Sequence, residues 1–137
     1  MRAVAALFAH EGYSLGLISR NPVAPVIPGT RVVTESADGL NPEAVVAALA
    51  KLARKLGSPE VVVYNVAGLS FGMSDMMKLK PETLAKHFTI GPVGGLAVAQ
   101  WAAANMEGSK KTVCWSLESQ ISHSDSCTAA IHWRGPL

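Results

Sequence analysis

Residues 41–66, NPEAVVAALAKLARKLGSPEVVVYNV, hold two structural elements in immediate succession. Asn41 offers an N-cap oxygen, Pro42 suits the first helical position, where a backbone N–H has no helical partner, and Gly57 suits the place just past the last turn. Between them Val45, Val46, Leu49, Leu52, Ala53 and Leu56 fall on one helical face. Lys51, Arg54 and Lys55 fill the remaining arc near the negative end of the helix dipole and read as a solvated face. Residues 60–66, EVVVYNV, form a continuous apolar run without alternation, which suits a strand buried on both faces of a parallel sheet. A helix feeding directly into such a strand predicts α/β layers.

Working outward, residues 2–11 (RAVAALFAHE) have mixed helical spacing and stop at Gly12. Residues 13–19 (YSLGLIS) read as a short apolar strand closed by Arg20-Asn21-Pro22. A proline-rich loop follows, then a strand at 31–34 and a polar turn at 35–40. Downstream, residues 67–80 are a loop containing glycine and methionine. Pro81-Glu82 opens a helix that is interrupted near Gly91-Pro92 and resumes through 93–106. A further strand is expected at 111–116. Residues 112–137 gather two of the three tryptophans, both cysteines and five serines with almost no periodicity. The expected organisation is one domain over 1–113 and a divergent tail over 114–137.

The chain has 137 residues, 49% of them hydrophobic and 16% charged, a globular composition that excludes disorder, collagen and coiled coil. Twelve Lys and Arg against ten Asp and Glu, dispersed along the chain, leave no footprint for nucleic acid or an anionic membrane. Two cysteines without a CxxC pair point to a reducing, cytoplasmic location. Cys114, His123, Cys127 and His132 match no common zinc spacing, so no metal is expected. Met1-Arg2 and the short apolar run at 3–9 sit at the lower limit for a signal peptide and lack a clear cleavage site. The apolar stretch 93–104 is too short to cross a bilayer, so a soluble protein is expected.

Four segments, in order, resemble the short-chain dehydrogenase/reductase family. Residues 3–20 (AVAALFAHEGYSLGLISR) look like its first helix and second strand, ending in the arginine common in NADP-preferring members. Ala37-Asp38 before Asn41-Pro42-Glu43 looks like its adenine-contacting aspartate. Asn65-Val66-Ala67-Gly68 is similar to its Asn-Asn-Ala-Gly signature, with Val66 in the second position. Residues 88–106 resemble its long dimer-forming helix and lead-in. The resemblance implies a partial Rossmann-like, doubly wound parallel sheet in three α/β/α layers, with the N-terminal strand missing. It also implies an oxidoreductase that transfers hydride between NADPH and a small carbonyl or alcohol.

On that resemblance the cofactor-binding residues are Arg20, Asp38, Asn65, Ala67 and Gly68. Arg20 would grip a ribose phosphate, and Ser19, standing where NAD-preferring members place an acid, leans the choice to NADP over NAD. Each position has an ordinary alternative: Arg20 as a surface turn residue, Asp38 as turn chemistry before Gly39, Asn65 as a strand-end residue. Ala67 and Gly68 matter through smallness, which lets backbone approach a nucleotide. The catalytic serine aligns with Ser116, with Ser119 in competition.

Two required parts are not found. The glycine-rich turn that offers helix amides to a pyrophosphate would lie before residue 2. The family's catalytic tyrosine has a lysine four residues later that lowers the phenol pKa from about 10 toward neutrality, whereas Tyr13 is followed by Leu17 and Tyr64 by Gly68. The expectation is therefore an incomplete family member without turnover and with cofactor binding in doubt. The alternatives are a non-catalytic interaction or regulatory protein, paired through residues 93–106 with itself or a full-length relative, and a truncated product without settled function. Because the absent first strand is central in the sheet, its two neighbours are expected to lack their shared partner, making the isolated chain aggregation-prone.

Overall fold

A computed structural model describes residues 2–66, 77, 79–106, 112–116 and 129–134. Helix α2 (Pro42–Leu56) forms as its caps dictate. Asn41 Oδ1 accepts the Ala44 N–H at 3.0 Å, and Gly57, at φ 96°, donates its N–H to the Ala53 carbonyl at 2.8 Å. Val45, Ala48, Leu49 and Leu52 are the residues it buries. The opposite arc is less idle than expected. Lys55 Nζ donates to Glu35 at 2.7 Å and Lys51 lies 4.0 Å from the same carboxylate, so the basic face reaches across to a strand. Long side chains on a solvated helix face reach a neighbouring element where it presents an opposite charge, although an exposed pair adds at most about 1 kcal/mol.

The strands are β1 (Tyr13–Ser19), β2 (Val32–Ser36), β3 (Val61–Asn65), β4 (Thr112–Ser116) and β5 (Ala129–Arg134), in the sheet order β2-β1-β5-β3-β4. The pairs β1/β2 and β3/β4 are parallel, and β5 is antiparallel to both β1 and β3. Hence β1 to β4 all point the same way, in the expected Rossmann-like α/β arrangement, with one reversed strand at the centre. The expectation that β1 and β3 lack a shared partner is corrected: β5 lies between them. The segment AAIHWR sets Ala129, Ile131 and Trp133 on one parity and His132 and Arg134 on the other, a short period-2 strand signal at odds with the expectation of a tail with almost no periodicity.

Helices cover both faces of the sheet. On one face α1 (Arg2–His10) lies on β1, where Ala5, Ala9 and Leu15 are buried with Phe8, Tyr13 and Leu17 against them. Gly12, at φ 82°, makes the reversal between the two. On the other face, α2 and α4 (Gly94–Asn105) enclose Ile18, Val62 and Tyr64 in the main core. Alternation along β1 explains the division, since Leu15 and Leu17 point one way and Ile18 the other.

The helix interruption predicted near Gly91-Pro92 takes a specific form. Helix α3 (Pro81–Phe88) runs through a π-turn at Thr89–Val93 directly into α4. Pro92 has no N–H to give to the residue 88 carbonyl, and a wider turn accommodates it without a break.

Candidate functional site

All four parallel strands end on one side of the sheet, the side where open α/β sheets present residues to ligands. From one edge of the sheet to the other, that side carries Ser36 at the end of β2 with Ala37 and Asp38 beyond it, Ser19 at the end of β1 with Arg20 beyond it, the first residue of β5, Asn65 at the end of β3, and Ser116 at the end of β4. With strands about 4.8 Å apart, Arg20 and Asn65 are separated by two strand spacings, about 10 Å, and Asn65 and Ser116 by one. Asn65 and Ser116 are register partners.

The β1 and β2 ends are tied together by backbone chemistry. The Ala37 N–H donates to the Ser19 carbonyl at 3.0 Å, and Ser36 Oγ donates to the Arg20 carbonyl at 2.8 Å. Arg20 is thereby held by its main chain while its side chain is exposed. Asp38 is engaged in its own turn: Oδ1 accepts the Leu40 N–H at 3.0 Å, and its carbonyl accepts the Asn41 N–H at 2.9 Å. That Asx-turn sets the start of α2, which is the ordinary role foreseen for an aspartate before glycine. Ala67, Gly68 and Ser119 lie outside the described residues, and the described part of Ser116 is its place at the strand end.

The central slot determines what this side of the sheet can hold. Ala129 of β5 pairs with Ile18 and Tyr64 near the carboxyl ends, whereas Arg134 pairs with Tyr13 at the opposite end. The strand in the middle therefore starts at the ligand side and leaves from the far side. A pyrophosphate needs a strand that ends there and turns into a helix N-terminus, so β5 does not fit the pyrophosphate part of a dinucleotide.

Both tyrosines of the chain are in view. Tyr13 begins β1, at the end away from the ligand side, with its ring edge-on to Phe8 at 5.4 Å between centroids. Tyr64 is 1% exposed, and its hydroxyl donates to the Ile90 carbonyl at 2.5 Å. That carbonyl is available because the π-turn redirects the Gly94 N–H to Gly91 and Thr89. Burial pushes the Tyr64 phenol up from 10 to about 12, away from the neutral range that proton transfer requires. No lysine follows Tyr64 at the family's spacing; its structural role shows instead in a tyrosine near a strand end opposite a helix that carries Gly91, Pro92 and Gly94.

The folded-state pKa of Tyr64 lies above the value of an exposed phenol, so its contribution to stability is complete below pH 10 and is lost as pH rises toward 12. Between pH 9 and 11 the loss from this group is expected to be about 1 kcal/mol. Tyr64→Phe should cost about 1–2 kcal/mol at pH 7 through the unpaired Ile90 carbonyl and should remove this alkaline component. Urea midpoints of both proteins at pH 7, 9 and 11 check it; parallel decline of the two rejects the assignment.

Among the described residues no group of His, Cys, Asp and Glu is arranged to hold a metal, and no helix is long and apolar enough to cross a membrane. No protein-family model matches the sequence, and no curated protein matches it. Solved structures do match. A short-chain dehydrogenase/reductase from Sinorhizobium meliloti superposes with a TM-score of 0.62 at 22% identity, covering 75% of this chain and 49% of that one. The Serratia marcescens short-chain dehydrogenase/reductase gives 0.57 at 14% identity, covering 71% and 54%, and a double mutant described under the same name gives 0.56 at 20% identity, covering 61% and 34%. The chain thus spans from about a third to about half of the length of these proteins. Over 61–75% of its own length, it has the fold of part of a short-chain dehydrogenase/reductase.

Proposed function

We propose that this chain is a catalytically silent form of the short-chain dehydrogenase/reductase fold, located in the cytoplasm. The activity of that fold's parent type is hydride transfer between NADPH and a small carbonyl or alcohol. The observation that carries this reading is the placement of the two tyrosines. One starts a strand at the far end of the sheet, and the other is bonded inside the core with its phenol pushed up to about 12. A serine at the position of Ser116 has no activated role without the family's tyrosine–lysine pair, because an unactivated hydroxyl is a weak acid and a weak nucleophile.

For the cofactor, exposed Arg20 beside Ser19 supports NADP over NAD at the ribose end, and Asn65 at the strand end, followed in sequence by the small residues Ala67 and Gly68, is the segment we assign to the nucleotide. The reversed central strand opposes a full dinucleotide. Asp38 serves the turn before α2. The purified chain, mixed with NADPH and a panel of aldehydes and ketones, is expected to show no oxidation above the blank. Robust turnover overturns the proposal.

A second reading, a non-catalytic partner that pairs with a copy of itself or with a full-length relative, has its own supporting observation. Leu84, Phe88, Val93 and Leu96 are 42%, 56%, 51% and 56% exposed. The five-residue π-turn keeps Val93 in phase with Phe88, so the four fall along one stripe of the continuous helix.

A further inference from the structure

The four parallel strands form two separate halves, β2/β1 and β4/β3, and β5 is the element between them. It pairs with β1 over six register positions, from Tyr13↔Arg134 to Ile18↔Ala129. It pairs with β3 over four, from Val61↔His132 to Tyr64↔Ala129. On one face, helices α2 and α4 enclose residues from both halves: Ile18 from β1, Val62 and Tyr64 from β3. Residues of both halves therefore meet under one helical layer. Two facing strand edges, about 10 Å apart over an apolar floor, make a groove that takes one extended strand.

The direction of β5 is one of two senses that such a groove offers. Its neighbours are parallel to each other, so an incoming strand has parallel ladders on both sides in one sense and antiparallel ladders on both sides in the other. The chain fills it in the antiparallel sense, with a segment that is separated from β4 by residues 117–128. A chain of 12 residues can reach about 40 Å, several times the two strand spacings from Ser116 to Ala129.

We propose that Ala129–Arg134 is a self-supplied complementing strand: the rest of the fold is a strand-accepting frame, and this segment is a separable donor that acts in trans as well as in cis. The reading concerns assembly of the sheet and is independent of whether the chain binds a nucleotide.

Backbone directions provide the test. The Leu15 N–H donates to the Arg31 carbonyl at 2.8 Å, so Leu15 and, by alternation, Leu17 face β2, while Gly16 and Ile18 face β5. Ile131→Pro in the full chain removes a donor from a central strand, which proline does not enter. Hydrogen exchange is expected to show protection at Gly16 and Ile18 falling about 100-fold, with Leu15 and Leu17 losing much less. Excess synthetic peptide spanning residues 128–135 should restore that protection, and a scrambled peptide should not. Unchanged protection at Gly16 and Ile18 overturns the placement of β5. If the variant loses protection everywhere, rescue by the peptide still supports the proposal, and failure of the peptide to rescue overturns it.

Discussion

Gly94→Ala is expected to destabilise the chain by about 2–4 kcal/mol, although alanine is the better helix former by about 1 kcal/mol. The reason lies across the helix–sheet interface. A Cβ built on Gly94 overlaps the Tyr64 hydroxyl oxygen, stands 3.1 Å from the ring carbon that bears it, and stands 3.2 Å from the Thr89 carbonyl oxygen. Tyr64 cannot yield cheaply, because it is 1% exposed and anchored to the Ile90 carbonyl. Either the ring moves and the carbonyl loses its partner, or α4 lifts from β3 and the core opens. Thermal melting should fall by about 5–15 °C. The double variant Gly94→Ala/Tyr64→Phe removes the overlapping oxygen and should be more stable than Gly94→Ala alone, a reversal of sign for the Tyr64 change. Additive losses would mean that the two residues do not meet.

This contact shows where the sequence was legible. The α2 caps, its buried stripe and the unbroken apolar run of β3 are local signals, each read from neighbours within a few residues, and the elements form where they indicate. The α/β layering followed from their order, and the Rossmann-like arrangement from the family resemblance. The π-turn was visible only as an interruption, because whether the helix ends near Pro92 or widens by one turn depends on what donates to the Ile90 carbonyl that the wider turn leaves open, and that donor is Tyr64, 26 residues from Ile90.

The place of the central strand was not legible for a related reason. The alternation within AAIHWR marks a strand but not its neighbours; its location between β1 and β3 is set by backbone ladders to residues more than 60 positions away. The candidate site divides along the same line. The strand-end positions of Arg20, Asn65 and Ser116 followed from the strand assignments. The turn role of Asp38 was foreseen as an alternative and is what its hydrogen bonds show. The direction of the strand at the centre of that side, which opposes a pyrophosphate, depends on tertiary pairing alone.

Leu49→Ala should produce the other large loss, about 2–5 kcal/mol, in contrast to Leu96→Ala on the neighbouring helix at no more than about 0.5 kcal/mol. Leu49 is fully buried in the cluster that also holds Ile18, Val62, Tyr64 and Val98, where elements of both sheet halves meet. Truncation there removes transfer energy and leaves a cavity walled by β-branched and aromatic side chains with little freedom to close it. Against a total stability of about 5–15 kcal/mol, that is enough to put the population of unfolded chain within reach of mild urea. Leu96 is 56% exposed on the outward stripe of α4, so in the free chain its methyl groups already face water. Its effect should appear elsewhere: if the stripe is a pairing surface, Leu96→Glu leaves the thermal midpoint of the dilute chain unchanged and abolishes concentration-dependent association in light scattering. Equal destabilisation by Leu49→Ala and Leu96→Ala would place α4 with its other face to the sheet, and association insensitive to Leu96→Glu would remove the stripe as the basis for pairing.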